Sequence, residues 1–123
     1  MKSANILKKT GEDHKMYELL KFNKEYYQAI KDGVKTQTLR KHNKKFQEDE
    51  IVKAIFPGTT EECFIKITHT GFKQFKYLDE EDAIMEGYNS LDELKKDLLK
   101  IYPRLDQFDR LYYYRFEVVD EIA

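Results

Sequence analysis

Asn23-Lys24-Glu25-Tyr26-Tyr27-Gln28-Ala29-Ile30-Lys31-Asp32-Gly33-Val34-Lys35-Thr36-Gln37-Thr38-Leu39-Arg40 is a stretch in which one backbone period gives way to another. Tyr26, Tyr27 and Ile30 fall at i, i+1 and i+4, one side of a short helix over Lys24–Asp32 with Asn23 at its capping position. Gly33 stands where a helix commonly ends in a left-handed residue. Lys35–Arg40 is then rich in threonine and reads as a strand. A helix that hands over to a strand across one glycine sets the grain of the whole chain.

Upstream, Met16–Phe22 reads as a first strand, and residues 1–15, which show neither period, as a flexible tail. Downstream, the polar loop Lys41–Asp49 leads to strands over 50–56 and 62–70, joined at Phe56-Pro57-Gly58-Thr59. Proline then glycine at the central positions suits a type II turn, so a hairpin is expected. Cys63, Ile65 and Ile67 share one face of the second strand, and His69 continues it. After Gly71 the chain reads as helical over Asp79–Met85, breaks at Glu86-Gly87-Tyr88-Asn89, and becomes helical again over Ser90–Tyr102. Ser90-Leu91-Asp92-Glu93 fits a capping box, with Leu91, Leu94, Leu98 and Ile101 as the apolar stripe and Pro103 as the stop. Leu111–Val119 closes the chain as a strand in which Tyr112, Tyr114, Phe116 and Val118 alternate. The order is β-α-β-β-β-α-α-β. Regular βα alternation is absent, which argues against a doubly wound parallel sheet. The expectation is an α+β fold over 16–123, one domain: a curved sheet or partly closed β-barrel of five to six strands with three short helices.

The chain has 123 residues, 41% hydrophobic and 37% charged, with 9 tyrosines and 8 phenylalanines to build a core. No apolar run approaches the ~18 residues of a membrane span, and the lysine-bearing start has no apolar secretory core. With Cys63 as the only cysteine, no internal disulfide can form. A reducing, cytoplasmic setting is therefore expected. The net charge of −1 hides an asymmetry: residues 20–47 carry eight Lys/Arg against Glu25 and Asp32. Such an excess can attract phosphate, although charge alone favours the plainer reading of solvated lysines that keep a strand-and-loop surface soluble.

Common catalytic motifs are missing. There is no Gly-rich phosphate loop, no nucleophile elbow and no zinc-type helix motif. His14, His42 and His69 lack ligand spacing, and one cysteine cannot anchor a structural zinc. Cys63 on an apolar strand face reads as an inert buried thiol.

Gly33-Val34-Lys35-Thr36-Gln37-Thr38-Leu39-Arg40 resembles the GxKxxxxR signature of the ASCH family, relatives of the PUA RNA-binding domains. The resemblance continues through Phe46–Phe56, through Glu86-Gly87-Tyr88-Asn89-Ser90-Leu91-Asp92-Glu93-Leu94, and through Tyr102-Pro103 to the last strand. Two positions depart from the common family pattern: Thr38 replaces a usual Glu, and Glu48 stands before Asp49 where the family has Gly. The first departure matches GxKTxTxR, the form found in small bacterial N(4)-acetylcytidine amidohydrolases. That resemblance implies a PUA-like fold, a Lys35, Thr38 and Glu86 catalytic set, substrate binding by Arg40 and Lys35, and no metal or organic cofactor. The implied partner is a nucleoside or RNA.

The chemistry is coherent. A threonine hydroxyl needs a neighbouring base to become a nucleophile. A lysine accepts a proton where desolvation or nearby positive charge favours its neutral form. Glu86 can orient the lysine or protonate a leaving amine, and Arg40 can stabilise an oxyanion. In a regular strand Lys35, three residues from Thr38, would point the other way, so it must lie in the loop before the strand or at a bulge. The plain alternative is that Thr38 is a strand former, Glu86 pairs locally, and Lys35 and Arg40 are solvated. Between these stands a non-catalytic module for RNA or a modified nucleotide, with cations on phosphate and aromatic rings on bases.

Overall fold

The computed structural model describes residues 16–120; residues 1–15, expected as a flexible tail, and residues 121–123 lie outside the described residues. The first strand, β1 (Leu19–Lys21), is followed by a 3-10 turn over Lys24–Tyr26 that runs into α1 (Tyr27–Lys31). Next come β2 (Gln37–Arg40), β3 (Ile51–Ile55) and the long β4 (Glu62–Gln74). A second 3-10 turn (Phe75–Tyr77), α2 (Glu80–Glu86), α3 (Leu91–Ile101) and β5 (Arg110–Val119) complete the order. The five strands form one sheet in the order β1-β3-β4-β5-β2, with β1 parallel to β3 and every other pair antiparallel. The expected α+β class, with five strands and three helices, holds. The sheet is mixed and its hydrogen-bonded ladder does not close.

Alternation drives the packing. Cys63, Ile65 and Ile67 are buried on one face of β4 and meet Val52 and Ala54 of β3, with Tyr114 and Phe116 of β5. Full burial of Ile65 and Ile67 stabilises the fold by about 1.5–3 kcal/mol each. Phe22, Ile30 and Phe56 fill the same core. A second core lies under the helices, where Leu39 and Leu111 meet Ala83, Leu94 and Leu98. Between them β5 carries side chains into both cores, Tyr114 and Phe116 into the first and Leu111 into the second. The outer strands β1 and β2 are brought together by Arg40, whose Nη2 donates to the Lys21 carbonyl at 2.7 Å.

The hairpin turn forms as expected, with Thr59 N donating to Phe56 O at 3.1 Å. At the earlier turn, Asp49 takes φ 72°. The side chain next to Glu48 thus supplies the left-handed residue that glycine would otherwise provide; Asp is among the residues that tolerate it. Other expectations are corrected. The side chain of Asn23 makes no capping bond. Ser90 caps α3 by accepting from Glu93 N at 3.2 Å, but Glu93 Oε1 reaches Asn89 N rather than closing the box on Ser90. His69 is exposed because a bulge between Ile67 and His69 shifts the register and turns it outward.

β4 also runs on through Gly71 to Gln74 instead of ending near Thr70. Gly71 pairs with Tyr113, and a Cβ there would overlap the Tyr113 ring. Gly71→Val is expected to lower the unfolding free energy by about 1–3 kcal/mol through overpacking. An unshifted urea midpoint would show that Tyr113 is free to move aside. No helix among the described residues is long and apolar enough to cross a membrane.

Candidate functional site

Lys35 sits just before β2, as the strand geometry requires. Its backbone is fixed by Lys35 N donating to Ala29 O at 3.0 Å and Thr36 N to Met85 O at 2.7 Å. The second bond ties the loop to the C-terminal end of α2. That helix stops in a left-handed residue, Gly87 at φ 92°. Gly87 N donates to Ile84 O at 3.0 Å and Tyr88 N to Ala83 O at 2.9 Å, the paired bonds of a Schellman ending. Glu86, in the last helical turn, is thereby aimed at Lys35 across 51 residues of sequence.

The Lys35 ammonium donates to Glu86 Oε1 at 3.0 Å, to Gln37 O at 3.0 Å and to Glu86 O at 3.3 Å. Three protons thus meet three acceptors. The ring of Tyr26 lies 5.0 Å away beneath the charge. The ion pair is nearly water-free, with side chains 5% and 6% exposed. Glu86 Oε2 is buried and has no hydrogen-bond partner. Burial pushes the Glu86 carboxyl up from its ordinary value, against the opposing pull of Lys35, Gln37 and Arg40. Thr38 Oγ1 accepts from Arg40 Nε at 3.0 Å. The Arg40 guanidinium also lies 5.1 Å over the Phe22 ring, and burial lowers its pKa against the pull of Tyr102, Glu86 and Tyr114.

All four expected residues line one cavity of about 170 Å³. They meet there as two pairs, Lys35 with Glu86 and Thr38 with Arg40. No hydrogen bond joins Lys35 to Thr38. Behind the pairs, the fully buried Gln37 donates to Asp82 Oδ1 at 3.2 Å and accepts from Arg115 Nε at 3.0 Å. Lys73 holds the other Asp82 oxygen at 2.7 Å. This network locks the residue whose carbonyl receives Lys35. The sequence reading missed Tyr26 and Tyr88 as cavity residues and Asp97 behind them. In the sequence Tyr26 shows only as the buried side of a short helix, and Tyr88 enters the cavity through the turn after Gly87.

Cys63 is buried, and desolvation raises its thiol, in keeping with an inert role. Among the described residues, no three His, Cys, Asp or Glu side chains are grouped so as to hold a metal ion.

The chain matches no protein-family model and no curated protein. Solved structures do match. An ASCH domain from Lactobacillus crispatus superposes with a TM-score of 0.72 at 17% identity, covering 87% of this chain and 82% of that one. A protein from Enterococcus faecalis gives 0.71 at 19% identity, over 88% of this chain and 79% of that one. A variant of the Zymomonas mobilis ASCH protein gives 0.60 at 9% identity, over 83% and 73%. Identities this low speak for backbone architecture. The chain has the α+β, PUA-like fold of ASCH domains.

Proposed function

We propose that this cavity hydrolyses the acetyl amide of N(4)-acetylcytidine, releasing cytidine and acetate, without a metal or organic cofactor. The observation that carries the reading is the buried Lys35–Glu86 pair beside the Thr38–Arg40 pair. A desolvated ion pair is a poor route to stability, and such pairs cluster where protons are moved. Transfer of one proton from Lys35 to Glu86 leaves an amine and a carboxylic acid, a base and an acid side by side. Arg40 holds the Thr38 oxygen, so the hydroxyl proton is free to point at the base.

In the acylation step Thr38 Oγ1 adds to the acetyl carbonyl carbon and its proton passes to the Lys35 amine. Arg40 balances the negative oxygen that develops. The C–N bond then breaks, and Glu86 gives its proton to the departing N4 of cytidine. Water attacks the acetyl ester on Thr38 while Glu86 takes a proton from it. Lys35 returns a proton to the Thr38 oxygen as acetate leaves.

A second reading is favoured by the three committed protons of Lys35 and its lack of a bond to Thr38. In it the cleft only binds RNA or a modified nucleotide, held by the cations of residues 20–47. Incubating the purified protein with N(4)-acetylcytidine and quantifying cytidine and acetate separates the two. Matched release of both is expected; nucleoside binding without release would favour the second reading.

A further inference from the structure

Tyr88 donates its hydroxyl proton to Asp97 Oδ2 on α3, and the Tyr88 oxygen lies 3.1 Å from the Tyr26 hydroxyl. A carboxylate only accepts, and a phenol has a single proton. The Tyr88 proton is therefore spent on Asp97, and the Tyr26 proton must be the one shared between the two phenols. Every donor in the chain points the same way, from Tyr26 through Tyr88 to Asp97. Burial, with Asp97 and Tyr26, pushes Tyr88 far above the ordinary phenol range, so it stays a donor. Tyr26 is left with nothing to donate to a ligand, and both tyrosines line the cavity. Nearby, the unpartnered Glu86 Oε2 adds a second acceptor to the same site.

We infer that Asp97 fixes the hydrogen-bond polarity of the cavity wall, so that Tyr26 accepts from the ligand and selects one presenting an N–H there. Tyr26 is on this account a specificity-determining residue, and Tyr88 and Asp97 are positioning residues acting through it. The acetylated amide and the free amino group of cytosine both carry such an N–H; the corresponding carbonyl of uracil does not. The choice of nucleosides as ligands rests on the proposed function, whereas the polarity rests on the hydroxyl chain alone.

Two measurements test this. In the ligand-free protein carrying ring-labelled tyrosine, NMR should find a slowly exchanging Tyr88 hydroxyl proton that is lost in Asp97→Leu, which removes the acceptor. In calorimetric titrations, wild type should bind cytidine about tenfold more tightly than uridine, the scale of one buried hydrogen bond. Tyr26→Phe should bring that ratio close to one. Asp97→Leu should lower or invert it, because Tyr88 loses its acceptor and its proton is free to turn to Tyr26, reversing the chain. A purely structural role would weaken both nucleosides together and leave the ratio intact, overturning the inference. An Asp97→Leu variant that keeps the Tyr88 hydroxyl proton protected would overturn it as well. If neither nucleoside binds while the hydroxyl protons respond as expected, the wall polarity stands and the nucleoside reading falls.

Discussion

Thr38→Ala is expected to lower turnover of N(4)-acetylcytidine by about 1,000-fold or more, a barrier increase of about 4 kcal/mol. No second aliphatic hydroxyl is available to replace it: the described residues lining the cavity include no other serine or threonine. Nucleoside affinity should change little, because the pocket keeps its aromatic walls and the Lys35–Glu86 pair. Thr38→Ser restores a hydroxyl and should recover much of the loss. Lys35→Arg should fail like the alanine variant, since a guanidinium keeps the charge but cannot accept a proton at neutral pH. Steady-state kinetics on the three variants decide the matter. Turnover within about tenfold of wild type in Thr38→Ala, about 1.4 kcal/mol, is too small a loss for a missing nucleophile and would sink the catalytic reading.

The second large effect falls on stability. Glu86→Leu alone should cost about 3–5 kcal/mol, because it leaves the Lys35 ammonium buried without a counter-charge. Two backbone carbonyls still accept from it, but dipoles do not balance a full charge in a site this dry. Lys35→Met with Glu86→Leu removes both charges at similar volume. That double variant should return close to wild-type stability or exceed it. Urea unfolding of wild type, Glu86→Leu, Lys35→Met and the double variant gives the coupling energy directly. If the double variant loses as much as the two single losses added together, the pair is a structural support and the argument that it is kept for chemistry fails.

Local pattern was enough to read most of the elements. The helix–glycine–strand passage at 23–40, the hairpin at Pro57-Gly58 and the stripe Leu91–Ile101 are short-range features, fixed by period and turn chemistry. What escaped the reading was non-local. The parallel pairing of β1 with β3 joins segments about thirty residues apart and leaves no mark on either one. Gly71 looked like a strand end, since only its partner Tyr113, far along the chain, explains a glycine inside β4. The bulge that exposes His69 breaks alternation without any residue that announces it. Lys35, Thr38, Arg40 and Glu86 were found through a resemblance of motif, and the cavity gathers all four. Their pairing was not legible. It follows from the helix ending at Gly87, which places Glu86 against Lys35.

Two of the hydrogen bonds described above involve main-chain oxygens that no neighbouring strand receives. Lys21 O on β1 is taken by Arg40, and Gln37 O on β2 is taken by Lys35. These two strands are the margins of the sheet, where unsatisfied carbonyls would offer a template for another extended chain. Cations of the cavity occupy those oxygens instead. Replacing Arg40 by a small neutral residue therefore reaches past chemistry into colloidal behaviour: it frees the Lys21 oxygen at an exposed strand margin and makes self-association through added strands easier.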